Sequence, residues 1–301
     1  MKRGNFHGYP TYVVGNEHLT LELLAEAGPR IVRIFRAGDD RNIFAELPQA
    51  QLPSPRGPYT LYGGHRLWHA PEVPARTYVA DDDGVTVETV ADGYRLCRNP
   101  DPYSGIGKTI EVALNDHRPS VEVRHNLHNH NSWPVELSAW AITQLAPGGI
   151  AVLPQVTTTL DDEGVQPNRR LVLWPYTKWS DPRLRLDDDL LFVEGRRGNE
   201  DLFKIGYMNR HGWLGYLWEG LFFIKRHEPE PERPHPDMGC NAEVYTDHRC
   251  LELETLTPMT VLAPGEAIQH TEFWELHGAA TVRPWPDALR EFLNGLSLLS
   301  L

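Results

Sequence analysis

The chain has 301 residues, enough for one large domain or two ordinary ones, and for a substantial core without disulfides or metals. Hydrophobic residues make up 41% and charged residues 23%, which excludes a disordered chain. The formal net charge of −12 disfavours a phosphate-tracking nucleic-acid binder, and equally an anionic membrane surface.

No apolar run approaches the roughly 18 residues of a membrane helix. The opening MKRGNFHGYP lacks the apolar stretch of a signal peptide. Cys97, Cys240 and Cys250 are too few and too scattered for a disulfide framework. A soluble, cytoplasmic protein is expected. With 25 glycines and 25 prolines the chain is punctuated too often for long helices.

Short alternating runs dominate from the N-terminus onward. Leu19, Leu21 and Leu23 alternate with Thr20 and Glu22, and residues 31–35 form a second run. Then comes the densest polar stretch, residues 62–72, YGGHRLWHAPE. Two glycines permit an unusual backbone path or a close approach. In an extended chain His65, Leu67 and His69 share one face, while Arg66 and Trp68 share the other. Such a set suits a sugar site: a histidine to move a proton, an arginine to hold hydroxyls or a carboxylate in a fork, a tryptophan to stack. The alternative is a structural segment with Trp68 plugging the core, although polar groups this varied rarely crowd one.

Val85 and Val87 form the next run, then Ile110, Val112 and Leu114, then Val121, Val123, His125 and Leu127. The last ends in RHNLHNH, residues 124–130, with Arg124, Asn126, His128 and His130 on one face. Histidines two apart on a strand do ligate metals, but no third ligand announces itself. We therefore expect no metal, and a polar strand end lining a cleft. Runs at 171–174 and 221–224 follow, then the proline-rich HEPEPERPHPDM, residues 227–238. With similar patterns on both sides, it reads as a stiff surface loop rather than a hinge. In CLELETLTP, residues 250–258, Glu252 and Glu254 share one strand face, opposite Leu251 and Leu253. Two close carboxylates push their pKa values apart, which suits general-base work. An ordinary solvated strand face is the alternative. The last strand surrounds residues 272–276, and a helix is expected over 287–299, with Leu289, Phe292, Leu293 and Leu296 on one side.

Turn signals such as Ala37-Gly38-Asp39, Asp83-Gly84 and Pro147-Gly148-Gly149 separate the runs. Three acidic clusters, at 81–83, 161–163 and 187–189, read as solvated turns. Together these patterns predict an all-β antiparallel sandwich with one short C-terminal helix, folded as a single domain over residues 1–301. Phosphate-cradling glycine loops, CxxC, HExxH and GxSxG are all missing, which removes nucleotide-dependent and common zinc or serine chemistry.

Several motifs then occur in a telling order. Gly63-Gly64-His65 comes early. Asn129 and Pro134 form an N-x-x-x-x-P strand end, followed by Trp140 and Leu145-Ala146-Pro147-Gly148-Gly149. Leu253-Glu254-Thr255, Pro264-Gly265-Glu266 and a stretch from His270 to Trp274 close the series. In order and spacing the chain resembles the galactose mutarotase-like (aldose 1-epimerase-like) β-sandwiches, over roughly residues 10–277. The resemblance implies a large supersandwich with a sugar cleft on its concave face, and no cofactor. It implies a glutamate that removes the anomeric hydroxyl proton and a histidine that protonates the ring oxygen. Glu254 matches that glutamate, with Glu252 as the alternative by a two-residue slip. His65 matches the early sugar-binding histidine. The acid histidine would fall near residues 141–143, where none stands, so either His69, His128 or His130 substitutes from a neighbouring strand, or the site binds sugar without epimerising it. Sugar contacts are expected from His65, Arg66, Trp68, Arg124 and Glu252. The function that follows is a cofactor-free aldose 1-epimerase acting on a small sugar. A carbohydrate-binding module without turnover is the alternative, and a polysaccharide lyase or hydrolase relative a weaker one.

Overall fold

A computed structural model describes residues 1–82, 84–280, 282 and 286–299; Asp83, the last carboxylate of the first acidic cluster, lies outside them. Two antiparallel sheets carry the chain, one of twelve strands and one of ten. The expected alternation is what builds them. Leu19–Leu24, Arg30–Arg36, Ser120–Asn129 and Leu251–Leu256 are strands, and each turns one set of side chains into the interior. Leu21, Leu23, Ile31, Leu253 and Val244 from the larger sheet meet Ile110, Val123, Leu127, Phe223 and Trp274 from the smaller.

The C-terminal helix is Pro286–Gly295, not 287–299. Its Leu289 and Leu293 pack with Trp213, Phe222 and Ile224 of the ten-stranded sheet, the face anticipated from their spacing. Two four-residue helical turns, Pro74–Thr77 and Pro236–Gly239, went unpredicted because neither is long enough for a periodic signal. The proline-rich segment leads from Leu221–His227 in the small sheet to Ala242–Thr246 in the large one. Of the acidic turns, Asp187 and Asp189 are both paired with Arg290 of the helix. Among the described residues no helix is long and apolar enough to cross a membrane.

The motifs that carry the family resemblance meet in space. Asn129 donates its backbone N–H to Glu266 O and accepts from Gly265 N–H, both at 2.9 Å. Its side-chain amide reaches Trp133 O and Leu262 O at 3.0 and 2.9 Å. The N-x-x-x-x-P strand end and the Pro264-Gly265-Glu266 turn therefore buckle to each other; they are marks of the fold rather than of chemistry.

The strand Tyr59–Ala70 is the pivot of the larger sheet. Its first half pairs with Glu46–Leu52, its second with Arg30–Arg36 and Val135–Leu145. The change of partner falls at Tyr62, Gly63 and Gly64, all at positive φ (57°, 90° and 68°). A Cβ on Gly63 would sit 2.0 Å from Ala45 O, and one on Gly64 would sit 2.2 Å from Ile31 O. The two glycines thus serve a close backbone approach as well as a turn. Gly63→Ala is expected to cost at least about 2 kcal/mol, from left-handed strain plus displacement of the neighbouring strand. Urea denaturation measures it, and an unchanged midpoint would show that the crossing can be rerouted.

Candidate functional site

The outer face of the larger sheet is where polar side chains gather. Register lays them in rows. In one row Gln144, Glu252, Tyr245 and Lys204 stand directly opposite one another on four adjacent strands. In the next, Arg66, Ile142, Glu254, Glu243 and Gly206 do the same. A third pairs Trp68, Trp140 and Leu256. A cavity of about 300 Å³ opens over these rows, within the range of small-molecule sites. Its floor includes Arg66, Gln144, Lys204 and Glu252, and its aromatic walls Trp68, Tyr78, Trp140, Trp174, Tyr176 and Tyr245.

Each polar group is oriented. Glu252 Oε1 accepts from Gln144 Nε2 at 2.7 Å and from Arg66 Nη2 at 3.2 Å. The Arg66 guanidinium lies 4.2 Å over the Trp68 ring, a cation–π contact that fixes its plane. Trp68 Nε1–H reaches Tyr59 Oη at 3.1 Å, so the indole is both wall and anchored core. Burial raises the Glu252 pKa and the Glu254 charge adds to the effect, while Arg66 opposes them. Burial likewise raises the Tyr176 and Tyr245 phenols, which stay protonated as hydrogen-bond donors.

Glu254, the residue matched by the family motif, does not line the cavity. It is fully buried, its Oε2 accepting from Trp140 Nε1 at 2.7 Å and Lys204 Nζ at 2.9 Å. Lys204 also lies 2.7 Å from Glu243 Oε2, without hydrogen-bond alignment. Its ammonium sits 4.9 and 4.7 Å from the Trp140 and Trp174 ring centres. Burial alone would strip the lysine of its proton, but Glu243 and Glu254 outweigh it and hold the pKa well above the ordinary value.

The histidines are elsewhere. The YGGHRLWHA segment is extended and alternates as expected, which sends Arg66 and Trp68 to the cavity and His65 to the interior between the sheets. There His65 Nε2 faces His125 Nε2 at 2.7 Å, and its Nδ1 meets Thr143 Oγ1 at 2.9 Å. His125 Nδ1–H donates to His270 O at 2.9 Å, so its Nε2 is the acceptor and His65 the donor. His69 is also buried, with neither ring nitrogen partnered, and burial drives its pKa well down. Arg124 and His128 belong to the other sheet. Arg124 pairs with Glu122 at 3.1 Å, and His128 reaches Gly265 O at 2.8 Å. From the sequence Glu254 is expected to meet His69 or His128 across a cleft, and His65 and Arg124 to contact a sugar; the structure places all five away from this cavity. These side chains do not line the cavity, and neither does any histidine among the described residues.

His65, His125 and Glu272 do bring one ligand atom each within 4.8 Å, a grouping that could hold a metal ion. Their atoms are already engaged. Glu272 takes Lys225 Nζ at 3.0 Å, Thr255 Oγ1 and, at 2.8 Å, Trp274 Nε1, so an ammonium already stands where a cation would bind. The site residues missed in the sequence include Lys204, Gln144 and the walls Tyr78, Trp140, Trp174, Tyr176 and Tyr245. One signal was legible: in Phe203–Tyr207, FKIGY, a single lysine interrupts an apolar strand.

No protein-family model and no curated protein matches the chain. Solved structures do. A candidate aldose 1-epimerase from Klebsiella pneumoniae superposes with a TM-score of 0.61 at 10% identity, covering 98% of this chain and 85% of that one. One from Escherichia coli K12 gives 0.54 at 13% identity, covering 89% and 99%. A TPR-domain containing protein from Parabacteroides distasonis gives 0.62 at 11% identity; 93% of this chain is covered but only 49% of that one, so the chain spans about half its length. With its two large antiparallel sheets, the chain has the galactose mutarotase-like β-sandwich fold.

Proposed function

We propose that the protein binds a small sugar in the cavity over the larger sheet and interconverts its anomers, as a cofactor-free aldose 1-epimerase-like isomerase. The observation that carries the reading is Glu252, a carboxylate held by Gln144 and Arg66 on the floor of an aromatic-walled cavity. Sugar rings offer apolar faces to aromatic walls and hydroxyls to polar floors, and this cavity supplies both. Glu252 would take the proton of the anomeric hydroxyl. Its raised pKa suits an acceptor that must later return the proton. In this reading Glu254 acts from behind, holding Lys204 and Trp140. Three free thiols, two of them buried, fit a reducing compartment and support a cytoplasmic location.

A second reading, a binding module without turnover, is favoured by one observation: among the described residues no histidine lines the cavity. Proton NMR of freshly dissolved α-anomers of neutral hexoses and pentoses separates the two. Faster equilibration of one sugar with protein present is the expected result. Selective line broadening without acceleration would select the binding module, and the absence of both effects would overturn sugar recognition in this cavity.

A further inference from the structure

An isomerase of this kind needs an acid as well as a base, since the ring oxygen leaves carbon with an electron pair and must take a proton. Resting on the isomerase reading above, we propose that Lys204, with Glu243 behind it, hands that proton to the ring oxygen.

Lys204 lines the cavity, in the same row as Glu252 and two strands away. Two strand spacings separate the backbones by about 10 Å, the scale of one sugar with its hydroxyls. The Lys204 side chain leans out of its own row, between Glu254 and Glu243 of the next, at 2.9 and 2.7 Å. Opposite Glu243 stands Gly206, where a Cβ would meet Cys240 Sγ at 2.7 Å and Glu243 Cγ at 3.2 Å, so the glycine keeps this corner open for the glutamate. Trp140 and Trp174 close the other sides.

The charge count is decisive. One ammonium stands between two carboxyl groups, and both are fully buried. A net negative charge in such a place is costly, so one carboxyl retains a proton. Glu254 receives two donors on one oxygen, whereas neither oxygen of Glu243 has an aligned hydrogen bond. The proton therefore belongs to Glu243, and burial indeed pushes its pKa well above the ordinary carboxyl value. The cluster stores one acid behind another.

The step balances. Glu252 takes the proton of the anomeric hydroxyl, and the C1–O1 bond becomes a carbonyl as the bond from C1 to the ring oxygen breaks. The electron pair goes to the ring oxygen, which accepts a proton from Lys204 Nζ while Glu243 reprotonates the amine. After rotation about C1–C2 the ring oxygen adds to the other carbonyl face, and each proton returns by the same path. The bound ammonium holds its proton against water, yet a developing alkoxide is a far stronger base than an amine.

Three variants test the assignment, with α-D-glucose and α-D-galactose among the sugars assayed by NMR. Lys204→Met is expected to lower turnover at least about 100-fold, with sugar affinity within a few-fold of wild type. Lys204→Arg keeps the charge and both carboxyl partners but does not release protons, so it should fold normally and be nearly as slow. Glu243→Gln imitates the protonated acid; its melting temperature should stay near wild type while the alkaline limb of the pH–rate profile moves. Wild-type turnover in Lys204→Arg would overturn the assignment while leaving the isomerase reading intact. A wild-type protein that accelerates no sugar would instead overturn the isomerase reading, and this assignment with it.

Discussion

Glu252→Gln is expected to lower anomer interconversion by about 10²- to 10⁴-fold in kcat, the usual range for loss of a general base, with sugar affinity changed only a few-fold. The amide keeps the shape of the carboxyl and can still accept from Gln144 and Arg66, so the floor stays in place. What it loses is the ability to take a proton. Glu254→Gln should behave differently. Glu254 reaches the cavity only through Lys204 and Trp140, so its amide variant should lose about 10-fold, as outer partners of a reacting group do, and melt at a lower temperature. Stopped turnover in Glu254→Gln, beside a normal rate in Glu252→Gln, would return the base to the residue that the family motif selects. Polarimetry or NMR on both variants, with a melting curve for each, decides between them.

The same pair shows how far the sequence could be read. Alternation made Glu252 and Glu254 neighbours on one face, and the sheet confirms that parity. Which of the two meets a ligand depends on what the adjacent strands carry. Lys204 and Trp140 cover Glu254, and they arrive from strands about 50 and 114 positions away in the chain. No local pattern holds that information. Strand existence was legible because half-buried strands alternate; strand order was not, because the larger sheet places Val135–Leu145 between Tyr59–Ala70 and Leu251–Leu256. His125 shares parity with Val121, Val123 and Leu127, as His65 does with Leu67, so their interior placement was written in the alternation. Expecting His65 at a sugar gave residue type more weight than parity. Arg66 and Trp68, judged by parity, do line the cavity.

Those interior histidines make the fold sensitive to acid, and Lys225 shares the interior with them. Lys225 is fully buried, and its Nζ donates to Ala141 O at 2.9 Å and to Leu253 O and Thr143 Oγ1 at 3.1 Å, besides its 3.0 Å pairing with Glu272. Burial alone would raise the Glu272 pKa, but the Lys225 ammonium and the His270 ring together outweigh it and hold the carboxyl well below its ordinary range. Lys225→Met fills much of the same volume yet leaves Glu272 uncompensated, at an expected cost of roughly 3–5 kcal/mol. Adding Glu272→Gln should recover part of that loss, because the stranded charge is gone. Burial, partly offset by Glu272, depresses His125 to about 4, and burial depresses His227 to about 3. An unfolded histidine titrates near 6.5, so between about 6.5 and 4 the unfolded chain binds protons that the folded chain refuses, and stability falls as pH falls. His125 alone contributes roughly 3 kcal/mol across that window, at about 1.4 kcal/mol for each pH unit of displacement. His227 acts in the same direction, and Glu272 adds its loss at still lower pH. Melting temperatures should therefore drop steadily from pH 7.5 to pH 5, with the drop made smaller by His125→Phe. A flat profile over that range would mean that the interior rings already carry their protons in the folded state, and that the hydrogen-bonded chain from Thr143 through His65 to His125 is not the neutral one its geometry describes.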